Sequence, residues 1–256
     1  MERRFYAMRL WYDGHRFHGW QRQPGAPTVQ EAVEDALAAA GVHAPLAVAA
    51  RTDRGVHATS QVVSFAVRAA LDPVELRRAV NAALPPDVAV LEVWSPRGSF
   101  HARAAARART YVYLVGAALP PELHGYAWSL PDDRAFPGVP ARPLDADAMR
   151  RALAAAVGTH DFTPFARPGA ARDATRTLLR AEVHSASWTP LHALVLEGTG
   201  FVRAMVRNLV GTAVTAGLGL ASPAIVGALL RAGGRYRGVR APAWGLTLAS
   251  IAYPEE

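Results

Sequence analysis

The sequence of 256 residues contains no cysteine and no lysine. Without cysteine there is no disulfide, no thiolate metal ligand and no cysteine nucleophile, so covalent attack on a pyrimidine by a thiolate is excluded. Without lysine there is no Schiff-base chemistry and no P-loop of the kind that needs its lysine. The N-terminus lacks the apolar stretch of a signal peptide, and no long apolar segment is free of charge. We therefore expect a cytoplasmic protein without a membrane span.

The basic residues of this sequence are all arginine. There are 28 of them against 21 Asp and Glu, which gives a formal net charge of +7. Such a surplus favours a polyanionic partner, with nucleic acid first. Genome composition can also replace lysine by arginine, so the charge alone does not identify the partner. The length fits one large domain or two small ones.

The N-terminal half alternates strand and helix patterns. Thr28 with Glu31 forms a capping box, and Asp72 followed by Pro73 starts a second helix. The predicted elements are a strand over 5–12, a helix up to Gly41, strands over 46–50 and 61–67, a helix from Pro73, and a strand over 88–94. This order is β-α-β-β-α-β, the split βαβ arrangement.

The C-terminal half repeats this pattern in outline. The predicted elements are strands over 109–115, 176–184, 191–197 and 246–252, a helix capped by Asp145, a helix over 201–216 and a helix starting at Ser222. We therefore expect an α+β fold of two related split βαβ (RRM-like) domains, residues 1–106 and 107–256, whose antiparallel sheets flank a groove. The proline-rich stretch over 119–143 is expected to be an irregular insertion.

One loop places a carboxylate between two arginines, in the motif RTDRGVHA that begins at Arg51. The motif follows a predicted strand, so it is expected at a strand end, where loops often carry function. Flanked by Arg51 and Arg54, Asp53 is expected to be ionised and to act as a nucleophile or base. Gly55 permits an unusual backbone turn. The same residues also fit a surface turn with an arginine–aspartate ion pair, which contributes little.

Two further segments are candidates for RNA contact. Arg203 and Arg207 are four residues apart, so on the predicted helix they share a face, although a solvated amphipathic helix has the same pattern. Tyr111 lies on a predicted strand near Arg107 and Arg109, and a tyrosine ring on a sheet face can stack on a nucleobase while arginine holds phosphate. A buried tyrosine with a satisfied hydroxyl fits that position equally well.

Metal binding is considered only for Asp13, His15 and His18, in the segment DGHRFH. With no cysteine, and with Arg16 between the histidines, a loop that contacts RNA or solvent is the favoured interpretation. We therefore expect no metal site.

Taken together, the segments resemble the tRNA pseudouridine synthase A family nearly from end to end. The similarity is carried by several motifs in the same order. They are YDGHRFHGWQRQP at 12–24, APTVQ at 26–30, RTDRGVHA at 51–58, FHAR at 100–103, RTYVY at 109–113, GTHDFTPF at 158–165, MVRNLVGT at 205–212, AP at 241–242, GLTL at 245–248 and the YP ending at 253–254.

This resemblance implies an isomerase that converts uridine to pseudouridine at positions 38, 39 and 40 of the tRNA anticodon stem-loop. It also implies a homodimer without a cofactor, in which two α+β domains flank a basic cleft. Asp53 matches the catalytic aspartate, and Tyr111 matches the tyrosine that stacks on the flipped base. Arg207 matches the arginine that pairs with the aspartate, and Arg51 the basic residue beside it.

The sequence departs from the family pattern at Ala50, Arg54 and Trp244, none of which removes a catalytic group. The main alternative function is a catalytically silent module that binds or folds tRNA. A glycosidase is a weaker alternative, because it needs two carboxylates around the bond and the motif offers only Asp53. Attack at C1′ and a glycal route both remain open for Asp53.

Overall fold

The computed structural model describes residues 3–169, 173–234 and 238–254, which form ten strands and six α-helices. The strands are β1 (Arg4–Tyr12), β2 (Ala47–Val48), β3 (His57–Val67), β4 (Val88–Trp94), β5 (Ala108–Ala117), β6 (Trp128–Leu130), β7 (Gly158–Asp161), β8 (Thr175–Ser185), β9 (Leu191–Gly198) and β10 (Leu246–Ala252). The helices are α1 (Val29–Ala39), α2 (Pro73–Ala83), α3 (Ala102–Ala105), α4 (Ala146–Ala154), α5 (Met205–Gly217) and α6 (Ile225–Ala232). The prediction of a mixed α+β protein is confirmed.

Three helices begin at the predicted cap residues. The Thr28 hydroxyl accepts from the backbone N–H of Glu31, the Asp72 carboxylate caps α2, and the Asp145 carboxylate caps α4. These side chains satisfy N–H groups that have no partner within the helix. Within the described ranges, the helices are too short or too polar to cross a membrane.

The chain forms two compact units, Met1–Arg109 with Thr247–Glu256, and Thr110–Leu246. In the first unit the strands lie in the order β4-β1-β3-β10, and β2 also pairs with β3. The pairs that β1 makes with β3 and β4 are antiparallel. Strand β10 returns to this unit because Thr247 and Leu248 pair in parallel with the start of β3. Helix α2 packs against β4 and α1.

In the second unit the strands lie in the order β5-β9-β8-β7, and β6 pairs in parallel with β5. The β7–β8 and β8–β9 pairs are antiparallel. Helix α4 packs on α5 and β8. Gly217 permits the contact between the helices, because a Cβ atom there would lie 2.7 Å from Cγ of Met149. The segment expected to be an irregular insertion contains the short strand β6.

Helix α5 begins later than predicted, and this corrects one part of the sequence interpretation. The helix was expected over 201–216, but Ala204 has a φ of 70° and Met205 is the first helical residue. The Arg203 carbonyl accepts from the N–H of Arg167 instead of joining the helix. Arg203 and Arg207 therefore do not share a helical face.

Candidate active site

The RTDRGVHA loop leaves the sheet of the first unit between β2 and β3. The Ala49 N–H still donates to the Val62 carbonyl at 2.9 Å, after which the chain departs from its partner strand. A turn follows, in which the Val56 N–H donates to the Asp53 carbonyl at 3.1 Å and Gly55 has a φ of 79°. Arg51 is exposed and Asp53 is half-buried. Asp53 thus lies at the start of a turn whose backbone is closed by a hydrogen bond.

A second loop, the YDGHRFHGW segment, lies directly against this one. The Trp20 N–H donates to the Thr52 carbonyl at 3.1 Å, and Trp20 itself is buried. A Cβ atom on residue 19 would lie 2.7 Å from the same carbonyl oxygen, so only glycine permits this approach, and the φ of Gly19 is 94°. The sequence interpretation assigned this segment to RNA or solvent and missed its support of the Asp53 loop.

A buried polar network lies beneath the loop. The Tyr12 and Thr52 hydroxyls share a hydrogen bond of 2.8 Å, and Nε2 of Gln61 donates to the Tyr12 hydroxyl at 3.3 Å. Burial raises the pKa of the Tyr12 phenol to about 12, while its hydrogen bonds with Thr52 and Gln61 act in the opposite direction. Tyr12 therefore remains a neutral hydroxyl at physiological pH.

The group that comes nearest to a metal site is Asp13, His15 and His57, and it differs from the set with His18 that the sequence brought into question and disfavoured. Among the described residues, the ligand atoms of these three lie within 4.8 Å of one another. Oδ1 of Asp13 is 2.6 Å from Nδ1 of His15 and 3.3 Å from Nδ1 of His57. Two histidines and a carboxylate suit zinc or a similar ion. However, the Asp13 oxygen already accepts from the His15 N–H and the His57 nitrogen from the Gly14 N–H, so a hydrogen-bonded cluster accounts for the arrangement.

Arg109 is engaged with the backbone of the first unit. Its guanidinium donates to the carbonyls of Ala49 at 3.2 Å, Arg103 at 2.9 Å and Ala106 at 3.2 Å. One of these carbonyls belongs to the residue where the loop leaves the sheet. This arginine therefore supports the start of the Asp53 loop as well as carrying charge.

Tyr111 lies on β5 in the second unit and is only 7 % exposed. Its ring stands edge-on to Phe201, with centroids 5.2 Å apart and planes at 88°. Tyr113 is also buried, and its hydroxyl donates to the Pro242 carbonyl at 3.0 Å. Both tyrosines are thus held by aromatic or backbone contacts.

Arg207 lies in the first turn of α5 and is half-buried. Its Nε donates to the Ala241 carbonyl at 2.7 Å, and its own carbonyl accepts from the Ala241 N–H at 3.1 Å. Burial raises the pKa of the Tyr113 phenol well above its ordinary value, and the positive charge of Arg207 partly opposes this. The guanidinium is therefore fixed by the 241–242 segment, which the sequence interpretation listed only as a motif.

The predicted site residues thus fall into two groups. Arg51 and Asp53 occupy one loop of the first unit, and Tyr111 and Arg207 lie on β5 and α5 of the second. Among the departures from the family pattern, Arg54 is exposed, Trp244 is 38 % exposed, and Ala50 pairs through its backbone with Gln61.

This α+β protein carries an aspartate between two arginines, on a loop whose backbone is hydrogen-bonded to a neighbouring loop. Comparison with known proteins identifies the family to which such a protein belongs. The family model described as tRNA pseudouridine synthase matches residues 10–104 and 152–254. A tRNA pseudouridine synthase A of Bordetella petrii is 40% identical over 260 residues, covering 98% of this chain and 91% of that protein. A protein of the same name from Geobacillus kaustophilus is 38% identical over 252 residues, covering 96% and 93%. The chain belongs to the tRNA pseudouridine synthase A family, which confirms the resemblance and the expected isomerase class.

Proposed function

We propose that this protein isomerises uridine to pseudouridine in the anticodon stem-loop of tRNA, at positions 38, 39 and 40. The strongest support is the Asp53 loop, in which Asp53 is half-buried and the backbone is hydrogen-bonded at Thr52, before the aspartate, and between the Asp53 carbonyl and the Val56 N–H. Relatives of this chain at about 40% identity carry the name tRNA pseudouridine synthase A. We also propose that residues 1–106 and 107–256 are two related RRM-like domains. In this proposal the two domains flank a basic cleft.

The reaction breaks the N1–C1′ glycosidic bond, turns the uracil and joins C5 to C1′, while the C5 proton leaves to solvent and N1 takes up a proton. In the proposed mechanism Asp53 is the oxygen nucleophile or base. It either attacks C1′ or takes the C2′ proton to give a glycal, and both routes end at the same product. The absence of cysteine from the chain leaves an oxygen group for this role.

The target base must leave the helical stem, which costs a few kcal/mol. Stacking on Tyr111 returns about 1–3 kcal/mol. Contacts from arginines to phosphates supply the remainder, and the net charge of +7 suits such contacts. In this scheme Arg51 contacts the RNA beside Asp53, and Arg207 pairs with the carboxylate. The protein acts in the cytoplasm as a homodimer without a cofactor.

The decisive experiment measures tritium release from tRNA that contains 5-tritiated uridine. We expect release by the wild type and a loss of about 10³-fold or more in Asp53→Asn. Asp35→Asn is the matched control, because Asp35 is an exposed aspartate of α1 in the same unit. The alternative, a silent tRNA-binding module, predicts salt-sensitive tRNA binding with no tritium release by the wild type.

A further inference from the structure

Gln61 pairs with the backbone of Ala50 as a strand residue would. Its side chain is completely buried in β3. Nε2 donates to the Ala50 carbonyl at 2.6 Å, and the Ala50 N–H donates back to Oε1 at 3.3 Å. Backbone pairing between β2 and β3 ends one residue earlier, with the bond from Ala49 to Val62. The amide therefore extends the ladder by one residue after the chain has left its partner strand.

The same amide is linked to the residue next to Asp53. Nε2 of Gln61 also donates to the Tyr12 hydroxyl, which shares a hydrogen bond of 2.8 Å with Thr52. Gln61 thus touches the loop directly at residue 50 and through Tyr12 at residue 52. No buried side-chain nitrogen or oxygen in the described part of the chain lacks a partner, so this network is fully satisfied. Fully satisfied buried networks make a local structure rigid.

We infer that Gln61 is a positioning residue for Asp53, an inference that rests on the proposed role of that carboxylate. Residues 49–52 have backbone or side-chain hydrogen bonds to three separate segments, namely β3, β1 and the YDGHRFHGW loop, before the turn begins. Removing the amide leaves the Ala50 N–H and carbonyl without their partners and allows the loop to shift. A displacement of about 1 Å at a reacting group can cost about 100-fold in rate.

Asn81 offers a matched control within the same unit. Its Nδ2 donates to the Val90 carbonyl at 2.9 Å, and the Val90 N–H donates to its Oδ1 at 2.7 Å. This is also an amide side chain that pairs with both polar groups of one backbone residue. It joins α2 to β4, which lies on the opposite side of β1 from β3. Asn81 is exposed, and among the described residues its side chain hydrogen-bonds to the backbone of Val90, away from the Asp53 loop.

The test compares Gln61→Met with Asn81→Leu, since each replaces an amide by an apolar chain of similar size. Three quantities are measured: the single-turnover rate of tritium release, the affinity for tRNA, and hydrogen exchange of the amides over 50–56. We expect Gln61→Met to lose about 10- to 100-fold in rate with unchanged affinity and faster exchange. Asn81→Leu should keep the wild-type rate and the wild-type exchange over 50–56.

The inference is overturned if Gln61→Met keeps the wild-type rate, or if rate and affinity fall together. An equal loss of rate in Asn81→Leu overturns it too, because general destabilisation would then explain the effect. If Gln61→Met does not fold, Gln61→Glu keeps the chain length and the acceptor for Ala50, and the same split is expected. If the wild type releases no tritium, the proposed function fails, and the exchange comparison alone decides whether Gln61 holds the loop.

Discussion

Gly14 lies so close to Val56 that a Cβ atom on residue 14 would sit 2.2 Å from the Val56 carbonyl oxygen. Val56 closes the turn that begins at Asp53, so the YDGHRFHGW loop touches both ends of the proposed catalytic turn. The contact is between backbones, which cannot move aside as a flexible side chain can. The position of the YDGHRFHGW loop is therefore coupled to the position of the Asp53 turn.

We expect Gly14→Ala to force the two loops apart. Overpacking of this kind costs about 1–3 kcal/mol of stability, and we expect turnover to fall because the Asp53 turn shifts. Gly41→Ala is the control, since a Cβ there meets nothing within 4 Å but the φ of 77° strains any side chain. Both variants should lose stability by urea denaturation, and only Gly14→Ala should lose single-turnover rate. Equal rates in the two variants would show that the contact is merely structural.

The local sequence predicts the elements of the first unit well because their signals are local. Caps at Thr28 and Asp72 start helices at the observed residues. Strand β10 is also found where predicted, but its parallel pairing with His57 and Ala58 is a long-range contact that no local pattern encodes. The late start of α5 has the same origin, because apolar spacing continues through Phe201 while a tertiary bond holds the Arg203 carbonyl.

The candidate site was predictable only in part, for a related reason. Asp53 stands out because a carboxylate between arginines is unusual, and the motif order assigns Tyr111 and Arg207. Gln61 carries no such signal, since a glutamine within a strand normally faces solvent. Its role depends on where the chain leaves β2, which is set by the fold. Supporting residues are thus harder to predict than the reacting ones.

The raised pKa of the buried Tyr12 hydroxyl should make the stability of the protein depend on pH in the alkaline range. The Tyr12 pKa is raised to about 12, whereas an unfolded chain releases this proton near pH 10. Between these values the unfolded state binds fewer protons, so the free energy of unfolding falls as pH rises. The stabilisation is complete below pH 10 and is lost as pH passes about 12, a difference of about 2–3 kcal/mol.

The contribution of Tyr12 to the free energy of unfolding is measured by urea denaturation of the wild type and Tyr12→Phe at pH 9 and pH 11. The variant should be less stable at pH 9, because Thr52 and Gln61 lose a hydrogen-bond partner. It should lose less stability between the two pH values than the wild type does. Contributions from the other tyrosines cancel in this comparison, so parallel slopes would contradict a raised pKa at Tyr12.

Tyr111 should affect turnover more than tRNA binding, since stacking matters after the base has flipped. We expect Tyr111→Leu to lose about 1–3 kcal/mol of stabilisation in the reacting complex, roughly 5- to 150-fold in rate. Tyr111→Phe keeps the ring and its edge-on contact with Phe201 and should retain most of the rate. Rate and affinity are measured separately with one tRNA. A large loss of affinity with normal turnover would exclude the stacking role.

Ala204 stores backbone strain at the start of α5, and glycine should relieve it. A residue with a Cβ at a φ of 70° pays about 1–2 kcal/mol, while glycine adds about 0.4–1 kcal/mol of unfolded-state entropy. We therefore expect Ala204→Gly to raise the free energy of unfolding slightly, and Ala118→Gly, at a φ of 49°, to do the same. The same substitution at Ala79, an exposed residue within α2, should cost about 1 kcal/mol. Urea denaturation of the three variants checks the contrast, and a loss at Ala204 as large as at Ala79 would show that the left-handed backbone there carries no strain.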